Sequence, residues 1–444
     1  MKLLRRYFGL APLAAALGMA FCTPARSQNL LELYESARAY DATWQSAKAQ
    51  YDANLFRAEQ AKAGILPSAN LGAGVTRSNL DSILPAAPER NITSQTATVS
   101  ASQPLYRPAN VATWQQGKRQ AELAQAQLAA ASQDLIIRMS QAYFDVLAAQ
   151  DTLAFVQAQK TAVGEQLAFA KRNFEVGTST ITDTREAQAR HDLVIAQEIA
   201  AENDLRVKKL ALDALVGKPD VKPNPLALPV SVPGPEPADV NVWVQQAEQS
   251  SPSIQQARTA VEIAQLETEK AKAGHKPTLD LTASYNVNRN PSGTATLAAP
   301  VRNNTGSIGV SFNLPLFAGF ATQNRIRETL SLEEKAQADL ESARRNVAQA
   351  TRAAFFGVVS GQGQVKALEA AEASSQSALE ANRLGYQVGV RINIDVLNSQ
   401  SQLFQTKRDL AQARYNVLLG QLRLRQANGT LVPEDLARLN TLVQ

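Results

Sequence analysis

The sequence predicts an internally duplicated α+β membrane protein, with four short membrane-spanning β-strands per chain set between helices of unusual length. Three observations predict it. The chain repeats itself at a nearly constant offset. Four segments alternate strictly between apolar and polar residues, as half-buried strands do. Two long stretches hold almost nothing but good helix formers.

The first residues read as a leader. Lys2, Arg5 and Arg6 precede an apolar run from Leu10 to Phe21, and Ala25-Arg26-Ser27 supplies small residues for a peptidase. The expected cleavage follows Ser27, so residues 1–27 form a signal peptide, and bulky Phe21 before Cys22 argues against lipid attachment. That leader holds the one cysteine, which leaves the mature chain without a disulfide or a thiolate metal ligand. It also holds four of the 45 basic residues and none of the 40 acids, so the mature charge is close to neutral. The clustered basic excess of a nucleic-acid binder is absent, and no nucleic-acid partner is expected. No later segment has the continuous apolar length of a transmembrane helix. A membrane-embedded part must therefore be a β-barrel.

The duplication sets the order of elements. Phe174-Glu175-Val176-Gly177 through Thr182-Asp183 returns as Tyr386-Gln387-Val388-Gly389 through Ile394-Asp395, and Ala61-Lys62-Ala63-Gly64 returns as Ala271-Lys272-Ala273-Gly274. Residues 28–217 form a first repeat of helix, strand hairpin (68–103), long helix and helix. Residues 238–428 repeat that plan around a hairpin at 278–315. Between them, 218–237 is a proline-rich linker expected to lie on the outside of the helices, and 429–444 is expected to be a C-terminal tail.

The clearest strand is Thr278 to Asn288, with Leu279, Leu281, Ala283, Tyr285 and Val287 on one face. Ile308, Val310, Phe312 and Leu314 line one face of Ser307–Pro315, and weaker alternation marks Ala69 to Val75 and Ala97 to Ala101. Runs of about ten residues match tilted transmembrane strands. The loops, about Asn79–Thr93 and Arg289–Thr305, are expected at the cell surface. Tyr285, Phe312, Phe317, Phe320, Tyr106 and Trp114 are candidates for an interfacial aromatic girdle.

Long helices are expected from Pro108 to Glu175 and from Gly319 to Gln387. At about 1.5 Å per residue each reaches roughly 100 Å. Leu128, Leu135, Ala142, Ala149, Val156 and Val163 recur every seven residues, a coiled-coil spacing. Shorter helices are expected over Leu30–Gly64, Asp183–Val216, Val240–Gly274 and Asp395–Gln426. Four strands cannot close a barrel, and an open sheet edge cannot face lipid. Strands must then be shared: two chains give eight, three give twelve and leave a lumen. The geometry that satisfies both element types is a small barrel in the outer membrane continued by a helical tube in the periplasm.

The sequence resembles the TolC-like outer-membrane channel family over essentially the whole mature length. The resemblance is carried by Asn29-Leu30, Tyr143-Phe144-Asp145-Val146-Leu147, Thr278-Leu279-Asp280-Leu281-Thr282-Ala283-Ser284 and Phe312-Asn313-Leu314-Pro315-Leu316-Phe317. Its most specific piece is Tyr386-Gln387-Val388-Gly389-Val390-Arg391 followed by Asp395-Val396-Leu397. The resemblance implies a homotrimer with a twelve-stranded outer-membrane barrel continued by a coiled-coil barrel. It implies the exit duct of drug efflux pumps and type I secretion systems, in contact with outer-membrane lipid. The expected partners are a periplasmic adaptor and an inner-membrane transporter of the RND or ABC type.

It also implies a gate. Gly177 and Gly389 are expected to form the turns at the periplasmic tip. Thr182, Asp183, Tyr386 and Arg391 are the matching positions of the polar network that holds such a tip closed. The expected bonds are Asp183 to the Tyr386 hydroxyl, and Arg391 to Thr182 or Asp183. Asp395 is the expected pore-constriction carboxylate, and Asn398 stands where the family's second acidic ring falls. One ring instead of two should weaken block by polyvalent cations.

No catalytic constellation appears. His191 and His275 lack metal-ligand neighbours, and no phosphate-binding glycine loop precedes a helix. No enzymatic activity, cofactor or metal is expected. The competing reading is a non-channel periplasmic coiled-coil or adaptor-type protein, which would not need four membrane-length strands.

Overall fold

The computed structural model describes residues 29–82, 87–226 and 234–440. The leader at 1–27 and part of the linker lie outside the described residues. The chain forms two compact units.

The first unit takes its described residues from Met1–Gln45, Ser132–Trp243 and Thr351–Gln444, so it draws on both repeats. Helix α1, Leu30–Tyr40, starts where Asn29 accepts a hydrogen bond from the Glu32 amide at 2.8 Å. It stops at Asp41, whose carboxylate accepts from the Thr43 amide (2.9 Å) and so starts α2, Ala42–Lys62. Expected as one helix, 30–64 is thus two. The second repeat breaks at the equivalent place: α5 (Val240–Ser250) gives way to α6 (Pro252–Lys272), because Pro252 has no amide hydrogen for a continuing helix.

Helix α3 runs from Pro108 to Glu175, and α4 from Ile181 to Val216. Val156, Val163 and Ala170 of α3 and Ala187 and Val194 of α4 bury seven residues apart in one core. The second repeat uses the same spacing. Val358, Val365 and Leu379 of α7 (Ala321–Gln387) are buried, as are Val396, Leu403, Leu410, Val417 and Leu424 of α8 (Asn393–Ala427). This is coiled-coil packing, in which small residues permit close approach. Gly217 ends α4 at φ +73°, with the Tyr40 ring so near that a Cβ would stand 2.4 Å from it. Only glycine satisfies both demands.

The described part of the linker lies on this unit's helices: the Tyr143 hydroxyl donates to the Asn224 carbonyl at 2.9 Å, and the Trp243 indole to the Pro237 carbonyl at 2.8 Å. Within the expected C-terminal tail the described residues, to 440, include a further helix. Helix α9, Glu434–Asn440, is pinned by Arg425 to Asp435 at 2.6 Å, and Asn440 accepts from the Leu30 amide at 3.0 Å. Its seven residues are too few to show a helical period in the sequence.

The second unit is Ser46–Ala131 and Val244–Ala350. It contains an antiparallel sheet in the order β1-β2-β3-β4. The strands are β1 (Ser68–Ser82), β2 (Ala87–Tyr106), β3 (Thr278–Asn290) and β4 (Val301–Asn313). All exceed the expected ten or so residues, and the first hairpin loop shrinks accordingly. Backbone pairing continues past the apolar band, through Asn79↔Asn91 and Asn288↔Asn303, where alternation of side-chain type stops.

The register unites the apolar positions. Leu71, Val99, Tyr285 and Gly306 form one cross-strand row, and Ala69, Ala101, Ala283 and Ile308 form the next. Leu71, Val75, Ile308 and Val310 are 61–78% exposed. The opposite face is built of Ser, Thr, Asn and Gly, cross-linked by Asn286 to Thr98 (2.8 Å) and Ser284 with Ser307 (2.9 Å). At its helix-proximal end Arg107 makes two bonds to Asp280, of 2.7 and 2.6 Å. Among the described residues no helix is long and apolar enough to cross a membrane.

Candidate functional site

Two equivalent turns of the first unit hold the residues the sequence singled out. Each follows a long helix. In the first, Gly177 takes φ +79°, and the Thr178 amide reaches back to the Asn173 carbonyl at 2.8 Å. In the second, Gly389 takes φ +77°, and the Val390 amide reaches the Gly385 carbonyl at 2.8 Å. These left-handed glycines satisfy the last carbonyls of α3 and α7 and reverse the chain.

The next helices start differently, and the difference decides what two carboxylates can do. Helix α4 opens with a capping box. Thr180 Oγ1 accepts from the Asp183 amide at 3.2 Å, and Asp183 Oδ2 accepts from the Thr180 amide at 3.1 Å. Ser179 also donates to Asp183, at 2.8 Å. Burial alone would push the Asp183 carboxyl up, but the bonds from Ser179 and Thr180 outweigh it and hold the group below the usual carboxylate range. At the equivalent position in α8 the cap residue is Ile392, which has no side-chain acceptor. Asp395, the counterpart of Asp183, is therefore free of capping. It faces Arg391 at 3.6 Å.

The bonds expected from the sequence are replaced within the chain by others. Asp183 is occupied by Ser179 and Thr180, not by the Tyr386 hydroxyl. Burial pushes the pKa of that hydroxyl up and the Asp183 charge adds to the rise, while the Asn173 side chain, which lines the same cleft, opposes it. The Tyr386 ring stands on edge to Phe169, with centroids 5.8 Å apart. Arg391 pairs with Asp395 instead of Thr182 or Asp183, and Thr182 is exposed. The reason is local: a capping box and an i,i+4 ion pair cost little chain entropy, so each forms ahead of a longer-range contact.

The turns still meet. Asn393, fully buried, donates to the Asp183 carbonyl at 3.3 Å and accepts from Gln166. Arg190 of α4 donates to Asn398 of α8 at 2.9 Å. Phe169, Asn173, Asp183, Tyr386, Arg391 and Asn393 line one cleft. Sequence reasoning missed Asn173, Thr180, Arg190 and Asn393. Thr180-x-x-Asp183 was readable as a capping box; the other three carry no local signal.

Comparison with known proteins decides the family. Residues 33–218 and 243–430 match the family model for "Outer membrane efflux protein". The chain belongs to the outer membrane efflux protein family. It is 35% identical over 427 residues to "Outer membrane protein TolC" of Vibrio cholerae, covering 96% of each chain. It is 30% identical over 425 residues to "Proteases secretion protein PrtF" of Dickeya chrysanthemi, covering 94% of this chain and 91% of that one. Among solved structures, the outer membrane protein VceC of Vibrio cholerae superposes with a TM-score of 0.78 at 20% identity, over 90% of this chain and 96% of that one; this likeness concerns the fold alone. As an efflux-family member, the protein is an outer-membrane channel with its helices in the periplasm. The exposed apolar sheet face is the part that such a location requires to meet lipid.

Proposed function

We propose that three copies of this chain assemble into one outer-membrane channel that serves as the exit duct for drug efflux, type I protein secretion or both. The observation that carries the reading is the sheet: one face exposed and apolar, the other polar, with β1 and β4 left as open edges. Open edges cannot persist in lipid, so β4 of one copy pairs with β1 of the next. Twelve strands enclose a lumen lined by the Ser, Thr and Asn face.

In this reading the two turns form the periplasmic tip, and the Asn173–Tyr386 contact and the Asn393 bonds hold it shut. Asp395 lines the constriction as a single ring of three carboxylates, each beside an Arg391. Asn398 sits behind it, engaged by Arg190. A periplasmic adaptor opens the tip, and an inner-membrane transporter of the RND or ABC type supplies energy, so no chemistry is assigned to this chain and no cofactor is needed. The relatives named for efflux and for protease secretion support both cargo classes.

A deletion strain tests it, scored for drug and detergent sensitivity and for proteins lost from the medium. Hypersensitivity alone assigns efflux, loss of a secreted protein alone assigns type I secretion, and loss of both assigns a shared exit. No change in either refutes the duct.

A further inference from the structure

The apolar face of the sheet is not uniform along its length. From the helix-proximal end it runs through Leu279, Leu281, Ala283, Tyr285 and Val287 on β3, then changes to Arg289. Arg289 is directly paired with Arg302 of β4, in the same row as Gln95 and Val75. Arg77, the next position of this face on β1, lies one row further out. All three side chains are exposed. Like charges directly opposite on neighbouring strands are unfavourable unless an anion sits between them.

Among the described residues no carboxylate forms an ion pair with Arg77, Arg289 or Arg302. Among the described residues the nearest acids along these strands are Asp81 and Glu89, both beyond the Asn79↔Asn91 pair where the register shifts, and Glu89 is engaged by Asn79. Arg90 is engaged elsewhere, donating to the Ser292 and Leu297 carbonyls. The helix-proximal end of the same face, by contrast, ends in Leu279, Phe312 and Leu314, without a basic residue.

We propose that Arg77, Arg289 and Arg302 form a binding site for the phosphate groups of the glycolipid in the outer leaflet. This rests on the membrane placement of the sheet, in which the hairpin end, remote from the helices, faces outward. The lipid's acyl chains then lie on Leu71, Val99 and Ile308, and its phosphates meet the arginines where the apolar rows stop. Guanidinium is suited to this, since it binds phosphate through two parallel N–H bonds. The one-sided placement matches a leaflet whose phosphates lie at that depth.

The test uses full-length purified protein in detergent, as wild type and as the Arg77→Gln, Arg289→Gln, Arg302→Gln triple variant. Each is incubated with bisphosphorylated lipid A or its dephosphorylated counterpart, and native mass spectrometry measures the retained lipid. A basic residue near an anionic surface contributes about fivefold in affinity, so three contribute about a hundredfold. The wild type is expected to retain the phosphorylated lipid about a hundredfold better than the triple variant does. It is also expected to prefer phosphorylated over dephosphorylated lipid, a comparison that needs no variant to fold. Equal retention of the two lipids by the wild type overturns the proposal, as does equal retention by the two proteins. Complete displacement by inorganic phosphate at matched ionic strength makes it a free-anion site and overturns the lipid assignment. If the membrane placement itself is wrong, the wild type fails to insert into vesicles at all, a different result from insertion without lipid preference.

Discussion

Replacing Tyr386 with phenylalanine removes one hydroxyl and nothing else, and that hydroxyl, near the end of α7, shares a cleft with Asn173 near the end of α3. Asn173 is only partly buried, so it turns to water when abandoned. A hydrogen bond from the Asn173 side chain to this hydroxyl would contribute about 1 kcal/mol. In the proposed trimer, three copies would contribute about 3 kcal/mol and would shift the balance between closed and open tips by roughly a hundredfold. The edge-to-face contact with Phe169 survives the substitution. Arg391 acts differently. Its pair with Asp395 lies within one turn, at 3.6 Å, with the guanidinium 59% exposed, so Arg391→Ser adds at most a few tenths of a kcal/mol to opening. It does uncover Asp395. Single-channel recording in planar bilayers separates the two effects. Tyr386→Phe should raise resting conductance, Arg391→Ser should raise cation preference, and the double variant should show both. Asn173→Ala should match Tyr386→Phe without adding to it, as expected of partners in one bond. Unchanged resting conductance in Tyr386→Phe refutes the reasoning.

Three further outcomes follow from the same geometry. Ile392→Thr gives α8 the cap that α4 has, so Asp395 should turn into a capping box; cation selectivity should fall, and the variant should gain about 1 kcal/mol of thermal stability by calorimetry. The Asp183 carboxyl is held below its ordinary range, so its stabilising effect is complete above pH 4 or so and is lost as pH falls through the depressed folded value. Acid unfolding followed by circular dichroism should accordingly be shallower in Asp183→Asn. On the sheet, Ile308→Arg places a charge at an exposed position of the apolar face; it should cost about 2–4 kcal/mol and reduce heat-resistant assemblies on gels, whereas Ser307→Thr on the polar face should leave them intact.

Much of the architecture was legible because the duplication and two periodicities say so directly. Strict alternation in Thr278–Asn288 located β3, and the bounds of α3 fall where they were expected, because Pro108 opens it and Gly177 follows its end. What escaped was local competition. The break at Asp41 depends on one carboxylate turning back on two amides. The strand ends at Asn79–Asn91 persist through backbone pairing that side-chain type does not encode. The candidate tip residues were named through family likeness, but their partners within the chain were not, because position 180 is Thr and position 392 is Ile. That single difference between the repeats commits Asp183 to capping and leaves Asp395 free.

The most direct test of the central claim is to reconstitute the purified full-length protein in planar bilayers while determining the mass of the conducting species. The account predicts a stable trimer that resists urea extraction and gives discrete, long-lived conductance steps. A monomer that urea removes from membranes and that gives no conductance would contradict it.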